Sequence, residues 1–171
     1  PAVGNYLVLR HSARDHAGTF IVDSKNVTLE NLNMYQNAGL GILAQYSENL
    51  TYKKVNCVPN LAKNRILSGH ADGFHYSNCK GQIVVDNCRF LALMDDPINV
   101  HGTSVQIIEK ISDKKLICKF MHNQSIGFTW AKAGDIVEFI ENDAMNTFGS
   151  AVVESFLAKD PTIFEITFKD P

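Results

Sequence analysis

A nine-residue pattern occurs three times in the first part of the chain, and this repeat limits the possible folds more than any other feature. The three copies are NVTLENLNM (26–34), NLTYKKVNC (49–57) and QIVVDNCRF (82–90). Each copy begins with an amide side chain and then places apolar or aromatic side chains at its second, fourth, seventh and ninth positions, which gives the alternation of a β-strand on either side of one longer interval. The copies start 23 and 33 residues apart. Repeats of about 20–30 residues are typical of solenoids.

The composition of the repeat favours a right-handed parallel β-helix. A leucine-rich repeat would show a longer leucine consensus and a helical half, and neither is visible. In a β-helix, equivalent residues of successive turns stack about 4.8 Å apart. Val27, Leu50 and Ile83 are therefore expected to form one interior column. The amides that begin the copies are expected to form a ladder at a corner: Asn26, Asn49 and Gln82. The longer interval contains VPNLAKNRILSG (58–69), which we interpret as a loop inserted into one turn.

The repeat stops near Thr103, and the remaining residues show a different pattern. Three segments alternate apolar and polar residues: SVQIIEKISDKKLICKFMH (104–122), GDIVEFIEN (134–142) and IFEITFKD (163–170). This alternation predicts antiparallel strands in a small barrel or sandwich. We therefore expect β-helix turns over residues 1–103 and an antiparallel β unit over residues 104–171, with a short helix near AVVESFLAKD (151–160).

Composition excludes several functions. The net charge is −2 and no cluster of Lys and Arg stands out, so neither nucleic acid nor an anionic membrane is an expected partner. No apolar run has the length of a membrane-spanning helix. The cysteines show neither a CxxC pair nor zinc-ligand spacing, and we expect small apolar core residues, with a disulfide left open, at Cys57, Cys79, Cys88 and Cys118.

Two acidic motifs lie one repeat apart in HADGFHYSNCKGQIVVDNCRFLALMDDPINVHG (70–102). Asp72 precedes Asp95 by 23 residues and Asp96 by 24, which is close to the shorter repeat interval. If that interval is one turn of the coil, the three carboxylates are neighbours on one outer face. A polar side chain also follows the short apolar strand of each turn: Gln45, His75 and His101.

Paired carboxylates on an open strand face suit glycoside hydrolysis, which needs one protonated acid and one ionised base. Two carboxylates about 5–7 Å apart repel by about 2–3 kcal/mol at an effective dielectric constant near 20, which separates their protonation states. Other interpretations of these residues stay open. An aspartate can cap a turn through backbone hydrogen bonds. The histidines can form a structural pair, and histidines with aspartates can hold a metal ion.

The segment ADGFHYSNCKGQIVVDNCRF, followed by DDPINVHGT, resembles the α-1,3-galactosidases of glycoside hydrolase family 110. These bacterial enzymes remove terminal α-1,3-linked galactose, including that of blood-group B structures. The resemblance covers most of residues 20–103. The later segment MHNQSIGFTWAKAGDIVEF (121–139) is similar to the β-barrel element inserted into that family's β-helix.

The resemblance implies an inverting exo-hydrolase that uses neither a metal nor another cofactor. Its substrate would be a galactose-terminated oligosaccharide or glycoconjugate, and its location the periplasm, the cell surface or the medium. The catalytic residues would be Asp72, Asp95 and Asp96. The galactose pocket would be lined by Gln45, His75, Asn99 and His101. By analogy with β-helix polygalacturonases, Asp95 is interpreted as the general acid, with Asp72 and Asp96 holding the water.

Two alternatives remain beside this resemblance. Polygalacturonases share the β-helix and the arrangement of one Asp followed a turn later by Asp-Asp, although the basic subsite that they use for uronates is not evident here. A carbohydrate-binding β-helix without catalysis is the other alternative. Members of the resembled family are much longer than 171 residues, so we expect the chain to be a piece of a longer protein.

Overall fold

A computed structural model describes residues 2–9, 14–123 and 125–170 of the chain, and the regular structure of these residues is almost entirely β-sheet. The chain divides into two compact units, one extending to Gly102 and the other beginning at Thr103. The first unit contains two parallel sheets, as expected for the turns of a β-helix, and the second contains an antiparallel sheet.

Sheet A of the first unit consists of four short parallel strands. In spatial order they are β1 (Thr19–Val22), β3 (Ile42–Gln45), β5 (Phe74–Ser77) and β8 (Ile98–His101). Ile42 pairs with Phe74, and Phe74 pairs with Ile98. Ile42 and Phe74 are fully buried, whereas His75, the next residue of β5, is only partly buried. Side chains of sheet A therefore alternate between the interior and the outer face of the coil.

Sheet B contains the three copies of the repeat. Its strands are β2 (Lys25–Met34), β4 (Glu48–Cys57) and β6 (Lys80–Asp86), and the short β7 (Arg89–Phe90) pairs with the end of β4. Val27 pairs with Leu50, and Leu50 pairs with Ile83. The predicted column is confirmed, and Leu50 at its centre is fully buried.

The predicted amide ladder at the corner of sheet B is correct for two of its three members. Asn49 Nδ2 donates to Asn26 Oδ1 over 3.2 Å, and both residues have left-handed backbone conformations. Gln82 was assigned wrongly, because a β-bulge adds one residue between Lys80 and Ile83. Gly81 takes the left-handed position at φ +72°, where a Cβ atom would lie 2.3 Å from Asn49 Oδ1. Gln82 instead donates its backbone N–H to that oxygen, over 3.0 Å.

The interior of the first unit is filled by aliphatic and aromatic side chains from both sheets. Tyr52 stacks on Tyr76 with ring centroids 5.5 Å apart and meets the edge of Phe74 at 5.0 Å. Isolated parallel bridges join Asn37 to Gly69 and Gly69 to Leu93. The inserted segment predicted over 58–69 contains one 3₁₀ turn, Leu61–Lys63, and is otherwise without regular structure up to that bridge.

The second unit contains a sheet of five strands, and the strands are antiparallel, as predicted. Its strands are β9 (Val105–Ser112), β10 (Lys115–Phe120), β11 (Ile136–Ile140), β12 (Thr147–Ala158) and β13 (Ile163–Phe168), in the spatial order β11-β12-β13-β10-β9. Its core is a separate cluster that includes Val153, Phe164 and Ile166.

The helix predicted near residues 151–160 is wrong, because this segment belongs to β12. Residues up to Val152 pair with β11, and residues from Val153 pair with β13. A register irregularity between Val153 and Ser155 interrupts the apolar alternation. Strand pairing on both sides of β12 outweighs the weak helical pattern of its sequence.

All four cysteines are free thiols, and Cys57 and Cys118 are buried in the first and second units. Burial, with a smaller effect of the neighbouring Cys88, raises the pKa of the Cys57 thiol to about 12, and burial raises that of Cys118 to about 11. Because only the thiolate is nucleophilic, both thiols should resist alkylation near neutral pH in the folded protein and react after denaturation. Mass spectrometry of alkylated peptides, with and without denaturant, measures this difference. Fast labelling of either thiol in the native protein would contradict the burial described.

Candidate functional site

Asp72 and Asp96 occupy the same position on successive turns of the coil. The backbone N–H of Gly41 donates to the carbonyl of Asp72, and the N–H of Gly73 donates in the same way to the carbonyl of Asp96, over 2.8 and 2.9 Å. Each aspartate therefore lies just before the strand of its turn, with Asp95 beside Asp96. The predicted placement of these acids on adjacent turns agrees with this register.

The three carboxylates differ in their surroundings. Asp72 is only 2% exposed, and its Oδ2 lies 2.6 Å from His75 Nδ1. Asp95 and Asp96 are exposed. Asp95 forms an ion pair with Arg14, and its Oδ1 accepts the backbone N–H of Asp96 over 3.2 Å. One aspartate is thus held in the interior and two face solvent.

The two histidines of the site contact each other diagonally across neighbouring strands. The prediction that Gln45, His75 and His101 each follow the short strand of their turn, and are thus equivalent, is wrong for His75. His75 pairs with Asn99, whereas Gln45 and His101 both pair with Ser77. Because the two histidines are one column apart, their rings approach diagonally, and the Nε2 atoms lie 2.7 Å apart.

The predicted pocket residues lie in two adjacent columns of sheet A. Asn99 follows His75 in one column, and His101 follows Gln45 and Ser77 in the other. Asn99, Gln45 and both histidines are partly buried. The outer face of sheet A therefore brings together four polar side chains. Three of them lie on the strands that follow Asp72, Asp95 and Asp96, the three acids that we call the acidic corner.

Arg14 is the contact at this site that sequence reasoning missed. It lies 81 residues before Asp95 and ahead of the first repeat copy, where no motif or spacing marks it. Its guanidinium and the carboxylate of Asp95 are each about one-third exposed, at 36% and 34%. The pair is therefore partly exposed to solvent rather than buried in the interior.

The described residues contain no group of three or more His, Cys, Asp or Glu side chains arranged to hold a metal ion. In the same part of the chain, no helix is long and apolar enough to cross a membrane.

Two protein-family models match the two parts of the chain. The family model described as right-handed beta helix region matches residues 4–112. The chain belongs to this family. The model described as GLAA-B beta-barrel domain II matches residues 115–171. The predicted fold, a right-handed parallel β-helix followed by a small antiparallel β element, is confirmed.

Individual relatives carry one common name. Alpha-1,3-galactosidase B of Bacteroides thetaiotaomicron is 44% identical over 171 residues, which are 100% of this chain and 28% of that protein. Alpha-1,3-galactosidase A of Bacteroides fragilis is 43% identical over 168 residues, which are 98% of this chain and 28% of that protein. Alpha-1,3-galactosidase B of Akkermansia muciniphila is 32% identical over 168 residues, 98% of this chain and 21% of that protein.

These relatives confirm the predicted resemblance to α-1,3-galactosidases. The similarity extends over the whole of this chain and covers both the turns with the acidic corner and the antiparallel unit. The chain spans only about 28% of the length of the first of these relatives.

Proposed function

We propose that the protein containing this chain is a glycoside hydrolase that removes terminal α-1,3-linked galactose with inversion of configuration. The observation that carries the proposal is the acidic corner: Asp72 and Asp96 at the same position of successive turns, with Asp95 adjacent. Hydrolysis of a glycosidic bond with inversion needs an acid and a base on opposite sides of the scissile bond. The names of the relatives supply the sugar and the linkage.

We assign Asp95 as the general acid, with Asp72 and Asp96 holding the attacking water. Asp95 is exposed and adjoins an open face, where the oxygen of a leaving sugar can approach. Asp72 lies one turn away from Asp95 and is offset from it by one residue along the chain, and we propose that the attacking water lies between the two carboxyl groups. An inverting enzyme leaves about 6.5–9.5 Å between its carboxyl groups for this water.

The ion pair of Asp95 with Arg14 is compatible with this role. Both side chains are about one-third exposed, and such pairs contribute only about 0–1 kcal/mol in water. An arriving sugar can displace Arg14 at little cost, which frees Asp95 to take up a proton and donate it. Arg14 would then be available to contact the substrate.

The outer face of sheet A supplies the sugar-binding groups of this proposal. The side-chain amides of Gln45 and Asn99 can donate and accept hydrogen bonds, and both residues lie on the same face of sheet A as His75. Galactose hydroxyls that become buried on binding need such donors and acceptors as partners, because an unpaired buried polar group lowers the binding affinity. We propose that Gln45 and Asn99 orient the galactose ring over the acidic corner.

Incubation of the full-length protein with defined α-1,3-, α-1,4- and α-1,6-galactosides tests this function. Release of galactose from the α-1,3-linked substrate is expected, and proton NMR should show that the first-released sugar is the β-anomer. Initial release of the α-anomer would exclude the inverting mechanism. Release of uronate from polygalacturonate instead would favour the polygalacturonase-like alternative, and glycan binding without any release would favour a binding module.

A further inference from the structure

Asp72, His75 and His101 form a continuous chain of short contacts, which we call the relay. Asp72 Oδ2 lies 2.6 Å from His75 Nδ1, His75 Nε2 lies 2.7 Å from His101 Nε2, and His101 Nδ1 lies 2.8 Å from the carbonyl oxygen of Gly102. The ring centroids of the two histidines are 4.7 Å apart, at an interplanar angle of 81°. This separation is much larger than the distance between the Nε2 atoms, so the nitrogens point at each other and the rings do not stack.

Each of these three contacts needs one hydrogen, and the carbonyl of Gly102 decides where one of them is. A carbonyl oxygen only accepts, so His101 Nδ1 must donate to it. The contact between the Nε2 atoms of His75 and His101 needs a second proton, because two nitrogen lone pairs at 2.7 Å would repel. The contact between His75 and Asp72 needs a third.

The relay therefore holds one proton more than the same groups hold in their ordinary neutral and ionised forms. An ionised carboxylate with two neutral imidazoles has two of the three hydrogens and a charge of −1. With the third hydrogen, the net charge of the relay is zero. That hydrogen belongs either to Asp72, as a carboxylic acid, or to the histidine pair, as an imidazolium.

We propose that the third proton is on the histidine pair, which makes His75 and His101 positioning residues that hold the buried Asp72 in its ionised form. The pKa of an ordinary imidazolium is roughly 2–3 units above that of an ordinary carboxylic acid, so the imidazole is the stronger base. The 2.6 Å contact is also at the short end for an N–H···O hydrogen bond, as expected when both partners are charged. Asp72 would then be ready to accept a proton from water. This catalytic consequence rests on the proposed function, whereas the proton distribution does not.

The neighbouring elements leave this histidine pair as the cation in contact with Asp72. In sheet A, β3 lies beside β5 and β1 lies beside β3, and neither strand contains a titratable side chain. The other neighbour of β5 is β8, which carries His101 itself. The interior residue Tyr76 on β5 stays neutral, because burial raises the pKa of its hydroxyl. The described segments before the strands of sheet A also carry charged or titratable side chains: Tyr6, Arg14, Asp15, His16, Tyr35, Lys63, Arg65, His70, Asp95 and Asp96. Of these, Arg14 is paired with Asp95.

Measurements can distinguish a histidine pair that holds the third proton from histidines that only bind the sugar. Loss of the third proton at high pH leaves the two Nε2 lone pairs facing each other, so the contact between the histidines must open. Asp72 then keeps a hydrogen bond from a neutral His75 but loses its cationic partner. Activity should then fall on the alkaline side in a step that belongs to the histidine pair. A histidine that only contacts the sugar would change KM and leave that step in place.

The full-length protein labelled with ¹⁵N-histidine allows the proton to be located without any substrate. A pH series of NMR spectra should show one imidazolium shared between two coupled rings until the alkaline step, and this signal should be lost in His101→Gln. The glutamine amide can still donate to His75 Nε2, but it has no proton to lose. His16→Gln, the same change at an exposed histidine, should leave the signal unchanged.

The pH profile of kcat/KM gives the second measurement. His101→Gln should lower kcat/KM roughly 10- to 100-fold, the range for loss of a hydrogen bond to a charged group, and should remove the alkaline step. Two neutral rings in the NMR spectra, together with an infrared band of a protonated carboxylic acid that disappears in Asp72→Asn, would overturn the proposal. A His101→Gln variant with a raised KM and an unchanged pH profile would also overturn it. If no galactoside is hydrolysed, the proposed function fails, and the NMR measurement still decides the proton distribution.

Discussion

Asp95→Asn in the full-length protein is expected to lower the turnover of an α-1,3-galactoside by about 10²–10⁴-fold. Asparagine keeps the shape of the side chain and most of its hydrogen bonds, but it cannot donate a proton to the leaving oxygen. Asp72→Asn is expected to have an effect of similar size, because it removes both the base and the charged partner of His75. The measurement is kcat on the natural linkage at saturating substrate.

Substrates and controls distinguish the roles within this experiment. An activated galactoside with a good leaving group should restore the acid variant Asp95→Asn preferentially, since that bond breaks without proton donation. Azide, as an external nucleophile, should help only a base variant. Asp86→Asn changes an exposed aspartate at the end of β6 and should keep normal turnover.

Near-normal turnover in both Asp72→Asn and Asp95→Asn would contradict the catalytic assignment. The aspartates would then be caps of turns, which is the structural alternative for such residues in a solenoid. Unfolding of either variant, detected by circular dichroism, would lead to the same conclusion. A selective loss of turnover in a folded protein would exclude it.

The register of sheet B was predictable because one face of each strand is buried. A shift by one residue would move every apolar side chain to the outer face, so the positions of Val27, Leu50 and Ile83 determine the pairing. The bulge was not predictable in this way. It adds a residue before Ile83, outside the alternating segment, and only the glycine at position 81 marks it in the sequence.

The acidic corner was predictable in part. The interval of 24 residues between Asp72 and Asp96 equals one turn, so their stacking follows from the repeat. The diagonal contact of His75 with His101 and the ion pair of Arg14 with Asp95 depend on side-chain reach across the surface of the coil. Sequence spacing carries no information on such contacts, and three-dimensional coordinates are needed to find them.

Leu50→Ala is expected to destabilise the first unit by about 2–5 kcal/mol, the range for removal of a large aliphatic side chain from a packed core. Leu50 is fully buried between Val27 and Ile83, so the cavity left behind has apolar walls on both neighbouring turns. Each 1.4 kcal/mol changes an equilibrium constant about tenfold. Amide hydrogen exchange in β4 should therefore become roughly 30- to 3,000-fold faster in the full-length protein.

The distribution of this effect along the chain tests the stacking itself. In a solenoid each turn contacts only its neighbours, so faster exchange should extend from β4 to β2 and β6. Leu61→Ala makes the same change in the 3₁₀ turn, where Leu61 is 73% exposed, and should alter stability by no more than about 0.5 kcal/mol. Equal exchange in the two variants would mean that Leu50 does not lie in an interior column. Faster exchange at β4 without any change in β2 and β6 would mean that the turns do not support one another, which is the property on which the placement of Asp72 beside Asp96 depends.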